Sequence, residues 1–419
     1  MKISFLLHSA YPIGGTVSTT FNLAGALAAR HEVEIVSVFR NRERPTFALD
    51  PRVRLRPLID LREEQDHPAH REPARVFPTV EGRHSEYSRL SDERIAGYLA
   101  TTDADVVIGT RPGLNVHIAR QAPGHVLRVG QEHLTWGHHS PRLRTVLRRA
   151  YRRLDLLTTV TDADARAYRS GAWLPGVRVE AVPNSVPDPV LPPSDSSGRL
   201  IVAAGRLVPM KDYETLIRAF THVAAAHPDW RLRIYGRGAE RDRLRALIEK
   251  LGLSNSAFLM GPAVPMEAEW VKASIAASSS DFEPFGMTIV EAMRCGLPVV
   301  STDCAHGPGE IIKDGADGLL VPVGDADAFG AALLDLVRDD ERRRTMGKSA
   351  LENSRRFAPD KVVADAERLL ADALAAKKAG ARPSGDSRAG RLTAAAQSAH
   401  DLAYTAASAA RRTVRRWQR

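Results

Sequence analysis

A chain of 419 residues is long enough for two domains of ordinary size, and 43% hydrophobic with 26% charged residues is the balance of a globular protein. No apolar run reaches the ~18 residues that cross a bilayer, and Cys295 and Cys304 alone build neither a disulfide framework nor a zinc site, which suits a reducing cytosol. The formal charge of +9 is concentrated at the end, where residues 377–419 carry ten Lys or Arg against Asp386 and Asp401, so basicity points to an anionic surface touched by the tail and not to a nucleic-acid-binding body.

The N-terminal stretch MKISFLLHSAYPIGG lacks a small-residue cleavage site and reads as a buried strand, with no secretion signal. It opens a strand, turn, helix, strand unit: KISFLLH, YPIGGTVS, FNLAGALAA, HEVEIVSVF. In the turn, Gly14 and Gly15 let backbone N–H groups approach a ligand. Polar, aperiodic text from Asp60 to Tyr87 predicts a long surface loop. Further strands at DVVIGT and DLLTTVT extend an open parallel sheet. Between them GQEHLTW places His133 after a strand-like stretch, with Glu132, His138 and His139 nearby but without the spacing of a metal site. SPRLRTVLRRAYRRLD sets Leu143, Val146, Leu147, Ala150, Tyr151 and Leu154 on one helix face and ringed by arginines Arg142, Arg144, Arg148, Arg149, Arg152 and Arg153, a face suited to an anionic bilayer or to solvent.

The proline-rich PNSVPDPVLPPSDSSG, with Asn184 at its start, reads as an exposed interdomain linker. The strand and helix alternation then restarts with RLIVAAG, YETLIRAFTHVAAAH, RLRIYG, ERDRLRALIEKLG, FLMG, EAEWVKAS, the helix in GMTIVEAMRCG, PVVST and GLLVP, which specifies a second doubly wound α/β domain whose ligand sits beyond the strand ends. Helices over DADAFGAALLDLVRD and APDKVVADAERLLADALAA follow. In the tail, Leu392, Ala395, Ala399, Leu402, Ala406, Ala410, Val414 and Trp417 recur at helical spacing. The resulting division is 1–185, a linker at 186–198, a second domain at 199–355, a helix at 356–378 crossing back to the first domain, and a basic tail at 379–419.

The chemistry concentrates in DFEPFGMTIVEAMRCG. Glu283 and Glu291 stand eight positions apart across a turn whose Gly286 opens a helix. The amides of Met287, Thr288 and Ile289 then face outward unpaired, and a positive helix end suits a diphosphate. Glu291, one turn in, is placed to accept hydrogen bonds from ribose hydroxyls, and Glu283 to reach sugar hydroxyls. Upstream, AAGRLVPMKDYETLI puts Gly205 and Arg206 at a strand end and Lys211 in the loop before a helix.

This ordered set resembles the donor lobe of glycosyltransferase family four, whose members carry a Glu, seven residues, Glu motif. The likeness is strong over about residues 198 to 375 and covers the first half in outline. It implies the GT-B fold, two Rossmann-like domains facing across a cleft, and a retaining, metal-free transfer of a hexose or N-acetylhexosamine from a uridine-type nucleotide diphosphate sugar, with no cofactor besides this donor. It assigns Arg206 and Lys211 to the departing diphosphate, the Gly14 and Gly15 loop to the donor phosphate and His133 to the donor sugar, sets Asn184 near the donor, and sets Gly261 and Val264 against the base. The acceptor is expected among envelope glycans, lipid carriers and teichoic-type polymers, and the location is cytoplasmic, with the basic helix and tail on the inner membrane face. Two other functions fit the same residues: a sugar-nucleotide epimerase or hydrolase, and a non-catalytic membrane-associated nucleotide-sugar-binding protein.

Overall fold

The computed structural model describes residues 1–381, 398, 399 and 401. They form two compact units, Met1–Pro183 together with the chain from Val362 on, and Asn184–Lys361. No helix among the described residues is long and apolar enough to cross a membrane.

The first unit runs β1 (Lys2–Leu7), α1 (Gly15–Leu27), β2 (Glu32–Arg40), β3 (Arg54–Asp60), α2 (Arg89–Thr101), β4 (Val106–Gly109), α3 (Pro112–Gln121), β5 (Leu127–Glu132), α4 (Pro141–Tyr151), β6 (Leu156–Thr159), α5 (Asp162–Gly171) and β7 (Arg178–Ala181). Its strands lie side by side as β3-β2-β1-β4-β5-β6-β7, all parallel. Helices cover both faces of such a sheet, which is why β4 and β6 are buried at every position.

The stretch from Asp60 to Tyr87 is a largely exposed loop, as expected, but with short 3-10 turns at Pro68–Arg71 and His84–Glu86 it delivers Ala69, Ala74, Phe77 and Tyr87 to the core. It is anchored where Asp92 Oδ2 accepts the amides of Arg75 and Val76 at 2.6 and 2.8 Å. The arginines of α4 are not all free to face lipid. Arg144 and Arg148 are 8% and 6% exposed and share Asp401 as an ionic partner, Arg148 at 2.9 Å. Arg148 in addition stacks 5.1 Å over Trp136 and donates to the Gly171 carbonyl at 3.2 Å. Apart from Ala399, the tail positions with helical spacing lie outside the described residues.

The second unit runs β8 (Leu200–Ala204), α6 (Tyr213–Ala226), β9 (Arg231–Tyr235), α7 (Arg241–Lys250), β10 (Ala257–Gly261), α8 (Glu267–Trp270), β11 (Ile275–Ser278), α9 (Met287–Arg294), β12 (Val299–Thr302), α10 (Gly307–Ile311), β13 (Gly318–Val321), α11 (Ala326–Arg338) and α12 (Asp340–Ser354). The sheet order is β10-β9-β8-β11-β12-β13, again parallel. The proline-rich stretch is a strap on this unit, not a free linker. Val186 N–H donates to Phe357 at 2.9 Å, Ser194 N–H to Cys295 at 2.8 Å, and Arg294 donates to the Pro187 carbonyl at 2.9 Å. Helix α12 has little sequence signal because its buried face is built from Arg343, Met346, Gly347, Ala350 and Ser354. Arg343 is held inside by Trp230, 5.3 Å below its guanidinium, and by the Leu336 carbonyl at 2.7 Å.

The last helix, α13 (Pro359–Lys378), returns to the first unit. Val362, Val363, Ala366, Leu369, Leu370 and Leu374 pack into the core that contains Ile3, Phe5 and Leu7 of β1. Its polar side is pinned by Glu367 to Arg30 and His31, and by Lys377 to Asp155 at 2.6 Å.

Candidate functional site

In the second sheet the direction of winding reverses between β8 and β11, and ligands of doubly wound sheets bind beyond the carboxyl ends at that switch. The loops leaving these two strands carry Arg206, Lys211 and Glu283. They are laced together: Ser279 Oγ donates to the Lys211 carbonyl at 3.0 Å and Asp281 N–H to the Met210 carbonyl at 3.0 Å. Across this seam Lys211 Nζ donates to Glu283 Oε1, and Ser280 Oγ donates to the same oxygen at 2.8 Å. Glu283 is buried, and its backbone is fixed by the amide of Gly307 at 3.1 Å. Glu283 therefore points inward at Lys211 and does not project toward open space. Arg206 is exposed and has no ionic partner among the described residues.

Glycine allows the strand-end loops to close on one another. Gly236 has φ +152°, and a Cβ on it would lie 1.8 Å from the Gly205 carbonyl oxygen. A Cβ on Gly238 would lie 2.0 Å from that of Leu207. Gly205 N–H donates to Tyr235, and Gly236 N–H to the Gly261 carbonyl, each at 2.9 Å. Gly261 is thereby tied to the Gly205 loop, whereas Val264 lies further along, half exposed at 50%. The sequence reading missed Ser280, Gly236 and Gly238. The Gly-x-Gly of YGRGAE was a visible signal for the glycines, but nothing in the local text distinguishes Ser280 from Ser279.

Helix α9 starts at Gly286, whose φ of +116° few other residues adopt. The expected trio of free amides is reduced to two. Ile289 N–H donates to the Gly286 carbonyl at 3.0 Å, which leaves those of Met287 and Thr288 at the mouth of the helix. One turn on, burial pushes the Glu291 carboxyl up from 4.5 to about 7, a rise the Trp270 indole partly offsets.

In the first unit, Gly14 and Gly15 do not make a tight turn. Gly14 is extended at φ 178° and caps α1, Gly15 is its first residue, and a Cβ on either would meet nothing within 4 Å. His133 follows β5, half buried. Its Nε2 is shielded with no hydrogen-bond partner among the described residues, and burial pushes the imidazole down to about 4, so the ring is neutral. Beside it Glu132 is fully buried and used by Tyr151, by Asn115 at 3.2 Å and by His139 at 3.5 Å, so this carboxylate is part of the core. Asn184 is buried where the second unit begins. Among the described residues no group of three or more His, Cys, Asp or Glu is placed to hold a metal ion. A surface cavity of about 490 Å³ over β3 and α2, lined by Arg56, His67, Arg94 and Tyr98, holds none of these residues.

Comparison with known proteins decides the class of activity. Residues 192–353 match the model of glycosyl transferases group 1, and residues 13–188 match that of glycosyltransferase family 4. Both halves of the chain thus match glycosyltransferase models, and the chain is a glycosyltransferase. It is 37% identical over 89% of its length to an exopolysaccharide phosphotransferase of Streptomyces coelicolor, but spans only 41% of that protein. Among solved structures, S. aureus TarM, in complex with α-GlcNAc-glycerol and UDP, superposes with a TM-score of 0.71 at 15% identity, covering 88% of this chain and 99% of TarM. HepE of Anabaena, in complex with UDP and glucose, does so at 0.67 and 20%, covering 88% and 99%. These likenesses establish the GT-B fold.

Proposed function

We propose that the protein transfers a hexose or N-acetylhexosamine from a UDP-sugar to a hydroxyl of a cell-envelope glycan, lipid carrier or polymer, with retention of anomeric configuration. The observation that carries this reading is the Lys211–Glu283 pair at the β8/β11 switch, beside the open start of α9. As the bond between the anomeric carbon and the β-phosphate oxygen breaks, negative charge grows on the departing UDP. Arg206, Lys211 and the amides of Met287 and Thr288 are fixed positive groups where that charge would appear, and preplaced charge lowers the barrier without reorganisation. With no carboxylate identified as a covalent nucleophile, the leaving phosphate itself takes the acceptor proton in a front-face attack. Gly205, Gly261 and Val264 are assigned to the base and His133 and the start of α1 to the donor, and no metal is invoked. Glu283 holds Lys211 in place for the diphosphate.

Transfer of the sugar releases UDP, whereas transfer of a sugar phosphate breaks the link between the two phosphates and releases UMP. Incubation with UDP-sugars and separation of the nucleotide products decides between them. The expected product is UDP in stoichiometric amount with glycoside, and UMP as the sole product would reject the proposal. Free sugar or an epimerised donor in the absence of acceptor would favour a hydrolase or epimerase. The reaction is placed in the cytoplasm, and Arg149, Arg152 and Arg153 are the exposed cations of α4 and its end that remain for an anionic membrane face.

Glu291 supplies a pH signature. A ribose diol donates two hydroxyls and prefers the carboxylate, so nucleotide binding expels the proton that burial retains. UDP affinity is expected to weaken about tenfold from pH 8 to pH 6, and Glu291→Gln to flatten that profile at a lower affinity. Stability moves the opposite way. The folded carboxyl holds its proton up to about pH 7 and the unfolded one only to 4.5, so stability falls as pH rises through that window, by about 3 kcal/mol at the full shift. Calorimetric titration in buffers of differing ionisation heat reads the proton release directly; no release at pH 6.5 would remove Glu291 from the ribose.

A further inference from the structure

The first sheet has the same winding reversal as the second, between β1 and β4. Its switch point is occupied by His8, the residue after β1, and by Arg111, which caps α3 two residues after β4. The segment from Pro73 to Tyr87 brings four more groups to it, Glu81, Arg83, Glu86 and Tyr87. Glu81 accepts from Arg111 Nη2 through Oε1 and from the Arg83 amide through Oε2 at 2.7 Å. Arg83 is held by both oxygens of Glu86 at 2.9 Å. His8 lies between the Tyr87 hydroxyl at 2.9 Å and Glu86 at 3.2 Å.

The charges at this switch cancel. Two arginines face two glutamates, and burial, reinforced by Arg111 and Arg83, pushes His8 down to about 3, so it is neutral. The helix start that would otherwise attract a phosphate is also covered. Phe77 packs on the first turn of α3 so closely that a Cβ on Gly113 would lie 2.1 Å from its ring. Compare the second unit, where Arg206 has no ionic partner among the described residues and the start of α9 is open.

We propose that the Arg111–Glu81 pair is the acceptor subsite and that it selects the hydroxyls of a neutral sugar or polyol over a phosphate-bearing acceptor. Arg111, with 18% of its side chain exposed, is the contact, and its one hydrogen-bond partner among the described residues is Glu81, which leaves guanidinium donors for ligand oxygens. Glu81, 6% exposed behind it, is a positioning residue that aims the guanidinium and neutralises it. This rests on the sugar-transfer reading and names the acceptor class for it.

The test uses the full chain saturated with UDP and saturation-transfer NMR against two probes, methyl glucoside and glucose 6-phosphate. Methyl glucoside is expected to bind the native protein and glucose 6-phosphate to bind at least fivefold more weakly. Arg111→Lys keeps a charge opposite Glu81 but loses the planar fork, and should weaken the sugar with an unchanged melting temperature. Glu81→Gln leaves one uncompensated cation and should shift preference toward the phosphate probe by about tenfold, a change that a merely structural strap would not produce. Equal binding of the two probes, no sugar binding at all, or native behaviour in both variants overturns the proposal. UDP titration of the same samples keeps the two readings apart, because loss of UDP binding by the native protein removes the transferase reading, whereas intact UDP binding with the outcomes above removes only the acceptor assignment.

Discussion

Lys211→Ala is expected to lower turnover by about three orders of magnitude and, at the same time, to destabilise the second unit. The catalytic loss follows from removing a preplaced cation from the leaving group, where one such donor accounts for about 10²–10³ in rate. The loss of stability is visible only in the structure. Glu283 retains just 8% of its side-chain exposure, and Lys211 is its ionic partner. Removing one member of a buried pair costs about 3–5 kcal/mol because the other charge is left unpaired. Glu283→Gln separates the two effects. It keeps a hydrogen-bonding oxygen for both Ser280 and Lys211, and should cost less stability than Lys211→Ala while losing about two orders of magnitude in turnover. Steady-state rates with urea unfolding measure all of this. Native turnover in either variant would remove the pair from the reaction, and a Lys211→Ala protein as stable as the native one would show that the pair does not form in solution.

Gly236→Ala should produce a large loss of stability. Its added carbon would lie 1.8 Å from a backbone oxygen, and φ of +152° is a conformation L side chains rarely adopt. The neighbour is main chain between two paired strands, so no rotamer change relieves the clash. The loops after β8 and β9 must separate, at a cost of about 4 kcal/mol or more, which is a fall of roughly 10 °C in melting temperature for a unit of this size. Because Arg206 follows Gly205 directly, nucleotide affinity should fall with stability. A melting temperature within 2 °C of the native value, about what 1 kcal/mol produces, would mean that these loops do not close as described.

Several parts of the molecule were legible in advance because their signals are local. Helix α9 announces itself by the Pro-Phe-Gly turn followed by an apolar stripe, and the placement of Glu283 outside it and Glu291 one turn inside follows from helical spacing. The loop after β8 is marked by Gly205 and by the two cations that follow. Other parts were not legible for identifiable reasons. The text around α12 is polar, and its buried face depends on Trp230 receiving Arg343. Arg144 and Arg148 read as solvated because their partner Asp401 is 257 residues from Arg144. The core contacts of the loop from Asp60 to Tyr87 were hidden because its order comes from Asp92 and the core of the first unit, not from periodicity.

The amino-acid order by itself determined the two parallel α/β sheets, the helix start with its flanking glutamates and the glycosyltransferase class of the chain, since alternation, spacing and motif order are properties of neighbouring residues. Tertiary structure alone decided that Glu283 turns inward to Lys211 across 72 positions, that Ile289 spends its amide on Gly286, and that two arginines of α4 are buried. The physical reason is that a charge is free or committed according to what the fold places within hydrogen-bond reach of it, and that partner is chosen by packing over distances the local text does not record.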